Sequence, residues 1–389
     1  MSAAPALPAP ELGPVRAFLA DHHEAVAGRT AALAEAFAIR PEPADDAAAR
    51  REARELLVAM GAAGALSPIG AMDWRACCLA REALAAASPL ADAVFALQGL
   101  GLVPILLSGN AAMRERWLAP TLAGQAMAAF AMTEPEAGSD VAALQTRARR
   151  DGGHYVLDGT KHYISNAGLA DYYTVFATTD PSAGGRGISA FVVPADAPGV
   201  RFVRAQVLSS PHPLGELSFE GCRVPAENRL GDEGRGFALG LRTLDRLRAT
   251  VGAAACGMAA RALAEALAHA KARHQFGKPL AEQQLIQEKL ARMAVELTAS
   301  RLLVYRAAHV ADGGAERVTL EAAMAKLYAT EAAQRVIDDA VQVLGGAGVM
   351  AAHPVDRLYR SVRALRIYEG TSEVQHLVIA GLLLQGGRT

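Results

Sequence analysis

The chain has 389 residues, a length that suggests two or three domains rather than a single core. Its 39 Lys+Arg and 40 Asp+Glu residues give a formal net charge of −1, which argues against a nucleic-acid surface, where basic charge clusters. Hydrophobic residues make up 52% and aromatics only 5%, with alanine abundant, a composition that favours helix.

The first residues are rich in Pro and Ala and lack the charged start and apolar core of a secretory signal. Glu11, Asp21 and Glu24 are unlike a mitochondrial transit segment. No run of eighteen or more purely apolar residues occurs, so no membrane association is expected. Cys77, Cys78, Cys222 and Cys256 show no CxxC spacing, which predicts buried free thiols in a reducing, cytoplasmic compartment and no metal site. Motifs of zinc proteases, P-loops and serine hydrolases are absent from the sequence.

From about Val15 to Gly124 the pattern is helical, broken at Pro41/Pro43, Pro68/Gly70, Pro89 and Gly109-Asn110. Near Met127 the texture changes to β-favouring runs at Tyr155–Leu157, His162–Ser165, Tyr172–Thr178, Ile188–Val193, Val200–Val203 and Leu217–Phe219. Turn signals separate them, including Asp158-Gly159 and Gly184-Gly185, and the Arg147, Arg149, Arg150 patch reads as a solvated face. After Gly231 longer helices return. Their stripes are Leu241, Leu244, Arg248, Val251, Ala255 and Met258; then Ile286, Leu290, Met293 and Leu297; then Leu320, Met324 and Leu327, followed by Ile337, Ala340, Val341 and Leu344. Gly313-Gly314 and Gly345-Gly346 end two of these helices. The pattern predicts an α+β, mostly α chain in three parts: an N-terminal helical domain (1–126), a middle β-domain forming a small barrel or sandwich (127–232), and a C-terminal four-helix bundle (233–389).

Five segments carry candidate chemistry. In Ile367-Tyr368-Glu369-Gly370-Thr371-Ser372-Glu373 a glutamate sits in apolar surroundings, where desolvation would raise its proton affinity and make it a general base. The same stretch also suits a helix N-terminus. Phe130–Asp140 is a Pro/Gly loop whose Thr133, Ser139 and backbone N–H groups suit a polar ring edge or a phosphate, or else a turn in which Asp140 caps Val141–Leu144. In Asp158–Gly168, Tyr163 and Ser165 stand two residues apart on a strand, hence on one face, where they could stack on a flat ring and bond its edge; taken alone, such a segment is more commonly a plain hairpin. Arg273–Lys278 places cations at a helix end, suited to the helix dipole or to a phosphate. Gln342–Gly348 contains a nominal GxGxxA, but it follows a helix instead of a strand and is no dinucleotide fingerprint.

Taken together, Met132-Thr133-Glu134-Pro135, Ala137–Asp140, Lys161–Asn166, Arg273 with Gln275–Lys278, Gln342 with Leu344–Gly346 and Gly348, and Ile367–Ser372 closely resemble the acyl-CoA dehydrogenase flavoproteins, in that family's order and spacing from about residue 50 to the end. The resemblance implies the three-domain fold already read and bound FAD. It places Phe130, Met132, Thr133, Gly138 and Ser139 along the flavin or the thioester arm, Tyr163 near the flavin ring (many members have tryptophan there) and Ser165 at the ring's edge. Arg273, Gln275, Phe276, Gln342 and Gly346 would reach FAD bound mainly to a neighbouring subunit, implying a homo-oligomer, typically a tetramer. Thr371 and Glu373 would lie on the adenosine-diphosphate side of the cofactor.

Glu369 matches the family's catalytic base, which removes the pro-R α-proton of an acyl thioester while a β-hydride passes to flavin N5. Some members carry that glutamate at the position of Leu247, which takes no protons. For the substrate, the resemblance implicates Ser139, Leu244, Asp245, Arg248, Tyr368 and Gly370, with Leu97 and Leu100 facing the acyl tail. It also implies acyl-CoA as substrate and an electron-transfer flavoprotein as electron acceptor. Gln206–Leu214 departs from the family's usual pattern beside the thioester carrier, which keeps an acyl-carrier-protein thioester open. An oxygen-using flavin relative (oxidase or monooxygenase) and a non-enzymatic flavin-binding scaffold are also compatible with the resemblance.

Overall fold

The computed structural model describes residues 5–38 and 40–386. Helices come first: α1 (His22–Ala38), α2 (Asp46–Ala62), α3 (Ser67–Ala71), α4 (Trp74–Ala87), α5 (Pro89–Ser108) and α6 (Ala111–Leu122). Strands follow: β1 (Ala128–Ala131), β2 (Arg147–Asp151), β3 (His154–Ser165), β4 (Tyr172–Thr178), β5 (Ile188–Pro194), β6 (Val200–Ala205) and β7 (Leu214–Pro225). The chain then enters α7 (Gly236–Ala272), a short hairpin of β8 (His274–Gln275) and β9 (Lys278–Pro279), α8 (Gln284–Asp312), α9 (Thr319–Leu344), α10 (Pro354–Leu365) and α11 (Ser372–Leu384). The helix–strand–helix order is the one predicted. The compact units, however, are each assembled from separated segments: Met1–Glu42, Asp73–Asp92 and Asp245–Thr389 form one, Pro43–Met72 and Ala93–Leu244 the other.

Local chemistry sets the helix starts. Asp45, Asp73 and Asn110 each accept a backbone N–H three residues ahead, satisfying a donor that the first turn leaves orphaned. Pro68 and Gly70, expected as a break, instead lie inside the short α3, with Pro68 in its first turn, where the missing N–H costs nothing. Pro89 opens α5. That helix is long and apolar enough to cross a membrane by length and composition, but 83% of its apolar window is buried in the protein, as in a core helix.

The sheet belongs to the second unit. Its strands run β1-β4-β2-β3-β7-β6, with β5 also on β4; β1 and β2 lie parallel to β4 and the other pairings are antiparallel. Tyr155, Leu157, Tyr173, Val175, Phe191, Leu217 and Phe219 fill its core. Two runs read as separate strands, Tyr155–Leu157 and His162–Ser165, are one strand. Asp158-Gly159 is therefore a register shift inside β3 and no hairpin turn. β1 and β2 escaped notice because alanine and arginine have little β propensity. The solvated-face reading of β2 holds, since Arg147, Arg149 and Arg150 are exposed around buried Ala148.

In the first unit α8 packs along α9, and α9 also contacts α10 and α11. Of the α9 stripe, Leu320, Ile337, Ala340 and Leu344 are buried, while Met324, Leu327 and Val341 are half-buried. In the first half of the helix the buried face is mostly alanine, at Ala322, Ala325 and Ala329, and it carries Lys326 and Thr330. Small residues let the helices approach closely: a Cβ on Gly252 of α7 would lie 2.6 Å from Val304 Cγ2 of α8.

Candidate active site

In the first unit, α10 ends at Leu365 and α11 starts at Ser372, capped by Thr371, whose Oγ1 accepts from Val374 N at 3.2 Å. The turn between them puts Glu369 at φ +55° and Gly370 at φ +95°. A left-handed conformation is costly for Glu369, which bears a Cβ, and open to Gly370, which does not, so the turn needs fixing from outside at Glu369. Three side chains do so through backbone oxygens. Arg248 Nε donates to the Glu369 carbonyl at 3.1 Å, and Lys326 Nζ and Gln375 Nε2 donate to the Gly370 carbonyl at 2.8 and 3.1 Å. Arg248 is held in turn by Asp245 Oδ1 at 2.6 Å, and the other Asp245 oxygen accepts from Thr319.

The side chain of Glu369 is left out of this network. Its Oε2 is buried and has no hydrogen-bond partner. Burial raises its pKa above the usual carboxylate range; the positive charges of Arg81, Arg248 and Lys326 pull it back only in part, and Asp92 adds to the rise. Arg81 is itself buried in a two-pronged pair with Asp92, at 2.7 and 2.8 Å, and reaches Thr250 at 3.0 Å. Lys326 is wholly buried, and burial pushes its pKa down to about 8, against the opposing charge of Glu369. The result is an unpaired carboxyl group with raised proton affinity, the property a general base requires.

The second unit joins two of the predicted motifs. Lys161 of β3, fully buried, donates to the Met132 carbonyl at 3.1 Å and to Glu134 Oε1 at 2.7 Å, and His162 N donates to the Thr133 carbonyl at 2.9 Å. Burial opposes the charge on Glu134, but Lys161 together with hydrogen bonds from Thr146 and Gln145 outweighs it and holds that carboxyl below its usual range. The Glu134–Ala137 turn is closed by two reciprocal backbone bonds, so those N–H groups are not free donors as expected; Gly138 and Ser139 remain exposed. Asp140 makes no cap bond.

The one-face expectation for Tyr163 and Ser165 fails. A register shift between Lys161 and Ile164, with Tyr163 at φ +55°, breaks the alternation of the strand. Tyr163 is 61% exposed and stacks on His162 at 4.3 Å, while Ser165 Oγ pairs with His212 Nε2 at 2.8 Å. Burial pushes His212 down to about 4, so its ring is neutral near pH 7.

Of the remaining predicted residues, Tyr368, Gly370 and Thr371 stand in the Glu369 turn, with Asp245 and Arg248 beside it. Phe130 packs on Phe176, and Leu97 and Leu100 are buried on α5 while Leu244 is half-buried on α7. Arg273, Gln275 and Phe276 lie exposed at and after the end of α7; Gln342 and Gly346 are exposed at the end of α9, and Glu373 is exposed on α11. Sequence reasoning missed Arg81, Asp92, Lys326 and Gln375. For Arg81 and Lys326 a signal existed: each is a charged residue in an alanine-rich helical stretch whose spacing makes it part of the buried face.

Residues 129–222 match the family model described as acyl-CoA dehydrogenase, middle domain, and residues 234–384 the one described as acyl-CoA dehydrogenase, C-terminal domain. The chain is 38% identical over 377 residues to the "Probable acyl-CoA dehydrogenase FadE25" of Mycobacterium tuberculosis, covering 94% of this chain and 96% of that protein. It is 41% identical over 338 residues to the mitochondrial short-chain specific acyl-CoA dehydrogenase of Rattus norvegicus, covering 86% and 81%. Among solved structures, butyryl-CoA dehydrogenase from Megasphaera elsdenii superposes with a TM-score of 0.86 at 36% identity, covering 94% of this chain and 99% of the other.

Proposed function

The chain belongs to the acyl-CoA dehydrogenase family, and from that premise we propose that it oxidises a short, hydrocarbon acyl-CoA to the trans-2-enoyl-CoA with Glu369 as the α-proton acceptor. The observation that carries the reading is the unpaired, buried Oε2 of Glu369, beside cations that are bound to carbonyl oxygens instead of to the carboxylate. A base locked in a salt bridge would be a poor proton acceptor; this one is free to take a proton. The Glu369 N–H makes no backbone hydrogen bond among the described residues. It suits a thioester oxygen as negative charge develops there. The names of the rat and Megasphaera relatives support a short acyl chain.

FAD, when bound, supplies the acceptor for the β-hydride. The donor set fits it: Tyr163 offers an exposed aromatic face, Ser165 and Thr133 hydroxyl groups, and a Cβ on Gly138 would meet nothing within 4 Å. Met132 and Ser139 complete that side. Arg273, Gln275, Phe276, Gln342 and Gly346, exposed on the first unit, are assigned to a neighbouring subunit's FAD in a homotetramer. An electron-transfer flavoprotein is the assigned electron acceptor and the cytoplasm the assigned compartment.

The test is an anaerobic visible titration of the purified yellow protein with acyl-CoA thioesters of increasing length. Bleaching by butyryl-CoA and its neighbours is the expected result. A flavoprotein that no acyl-CoA bleaches, or a chain that takes up no FAD, overturns the reading.

A further inference from the structure

Lys326 is a buried ammonium on a face of α9 made mostly of alanine, at Ala322, Ala325 and Ala329, with Thr330 beside them. Burying such a charge is expensive unless something in the structure answers it. Among the described residues it has no ion-paired carboxylate, and the hydrogen bond it makes, at 2.8 Å, goes to the carbonyl of Gly370, the residue after the base. Gly370 sits at φ +95° and Glu369 at φ +55°, so the lysine clamps the second half of a strained turn while Arg248 clamps the first.

Its charge also acts on the base. The groups that face Glu369 are Arg81 from α4, Asp92 from α5, Arg248 from α7 and Lys326 from α9. Arg81 is paired with Asp92 and Arg248 with Asp245, so each arginine has a carboxylate of its own, although both still favour the charged form of Glu369 more than Lys326 does. Lys326 faces Glu369, Arg248, Glu331 and Glu373. Of these, Glu331 is bound to Arg366 and Ser372, and Glu373 is exposed at the start of α11. Glu369, with its buried Oε2 unpartnered, is therefore the carboxyl nearby that has no cation of its own.

We infer that Lys326 is a positioning residue for the base: its Nζ, held on the Gly370 carbonyl, fixes the turn that carries Glu369 and adds beside it a buried positive charge that has no carboxylate partner of its own. The inference rests on the proposed role of Glu369. A carbonyl clamp alone needs only an N–H donor; the charge is the additional requirement.

The experiment compares Lys326→Gln, Lys326→Met and Lys326→Arg with wild type as FAD-loaded protein, after flavin content and thermal melting establish that each is folded. Lys326→Gln keeps an N–H donor and discards the charge. Two readouts are followed across pH: the anaerobic rate of flavin bleaching by butyryl-CoA, and the infrared carbonyl band of protonated Glu369, assigned as the band absent from Glu369→Gln. Lys326→Gln and Lys326→Met should move the midpoint of both upward by about one pH unit, a roughly tenfold loss of rate on the acid side, with rates converging at high pH. Lys326→Arg should stay near wild type. Rates lowered at every pH with an unmoved midpoint would make Lys326 a merely structural residue and overturn the inference. If wild type is bleached by no acyl-CoA, the proposed function fails, and the infrared midpoint decides the role of Lys326 by itself: a shift sustains it and no shift overturns it.

Discussion

Arg248 donates from Nε to the backbone carbonyl of Glu369 at 3.1 Å, while Oε2 of the same glutamate has no partner. A guanidinium beside a carboxylate ordinarily binds it side-on with two hydrogen bonds. Here Asp245 takes Nη1 at 2.6 Å and the carbonyl takes Nε, so the fork is occupied before it can reach the carboxylate. The arrangement brings positive charge close to the proposed base without pairing its Oε2.

Glu369→Gln preserves size and burial but cannot accept a proton. The variant should retain FAD and bind acyl-CoA, and the stopped-flow rate of flavin bleaching should fall by about 10²–10⁴-fold, the usual contribution of a general base. Bleaching at close to the wild-type rate would remove Glu369 from the mechanism.

The same substitution has a consequence for stability, with a definite sign. Burial raises the pKa of Glu369 in the folded state above its unfolded value. Between those two values the native state binds more protons than the unfolded chain, so stability falls as pH rises through that window and stays lower above it. Glu369→Gln removes this loss. It should melt at a higher temperature than wild type at neutral pH, and the advantage should vanish as pH drops below the ordinary glutamate range. A variant less stable than wild type at pH 7 would show that the carboxylate is better satisfied than its unpaired oxygen implies.

The residues of this turn were readable from the sequence and its shape was not. Glu369 between Tyr368 and Gly370, and the motifs around Met132, Lys161 and Gln342, are contiguous signals, so the helix–strand–helix fold and the family could be named from them and a base proposed. Arg81, Asp92 and Lys326 lie far from Glu369 in sequence and reach it only through packing of α4, α5 and α9, which no local pattern encodes. The error over Tyr163 and Ser165 has the same origin. Period-two alternation is a property of regular strands, and the shift between Lys161 and Ile164 is fixed by pairing with β7, some fifty residues downstream. Alanine was a further source of silence: it hides β1 and the buried face of α9, because a small side chain carries little pattern of its own.

Gly370 is where backbone conformation and close packing coincide. Its φ is +95°, and a Cβ there would lie 2.4 Å from Gln375 Nε2, the donor to its own carbonyl. Gly370→Ala must strain the turn or displace Gln375. The expected cost is about 1–3 kcal/mol in unfolding free energy. A disproportionate loss of bleaching rate should accompany it, because the displaced turn carries the base. Wild-type stability together with wild-type rate would show that the turn tolerates another conformation.

Arg81 and Asp92 test how a buried ion pair acts on the base from behind. The pair is almost fully buried, with contacts of 2.7 and 2.8 Å, and removing one partner strands the other charge. Arg81→Met should therefore destabilise the protein by about 3–5 kcal/mol in denaturant unfolding, whereas Arg81→Met combined with Asp92→Leu should recover much of that loss. The two charges push Glu369 in opposite directions, Arg81 lowering its proton affinity and Asp92 raising it. Arg81→Met alone leaves Asp92 unopposed, and the acid limb of the bleaching rate should move to higher pH. In the double variant the opposing charge of Asp92 is removed as well, so the limb should return part of the way toward wild type. A limb displaced equally in both variants would mean that packing around Thr250 and Tyr368, and not charge, is what Arg81 contributes.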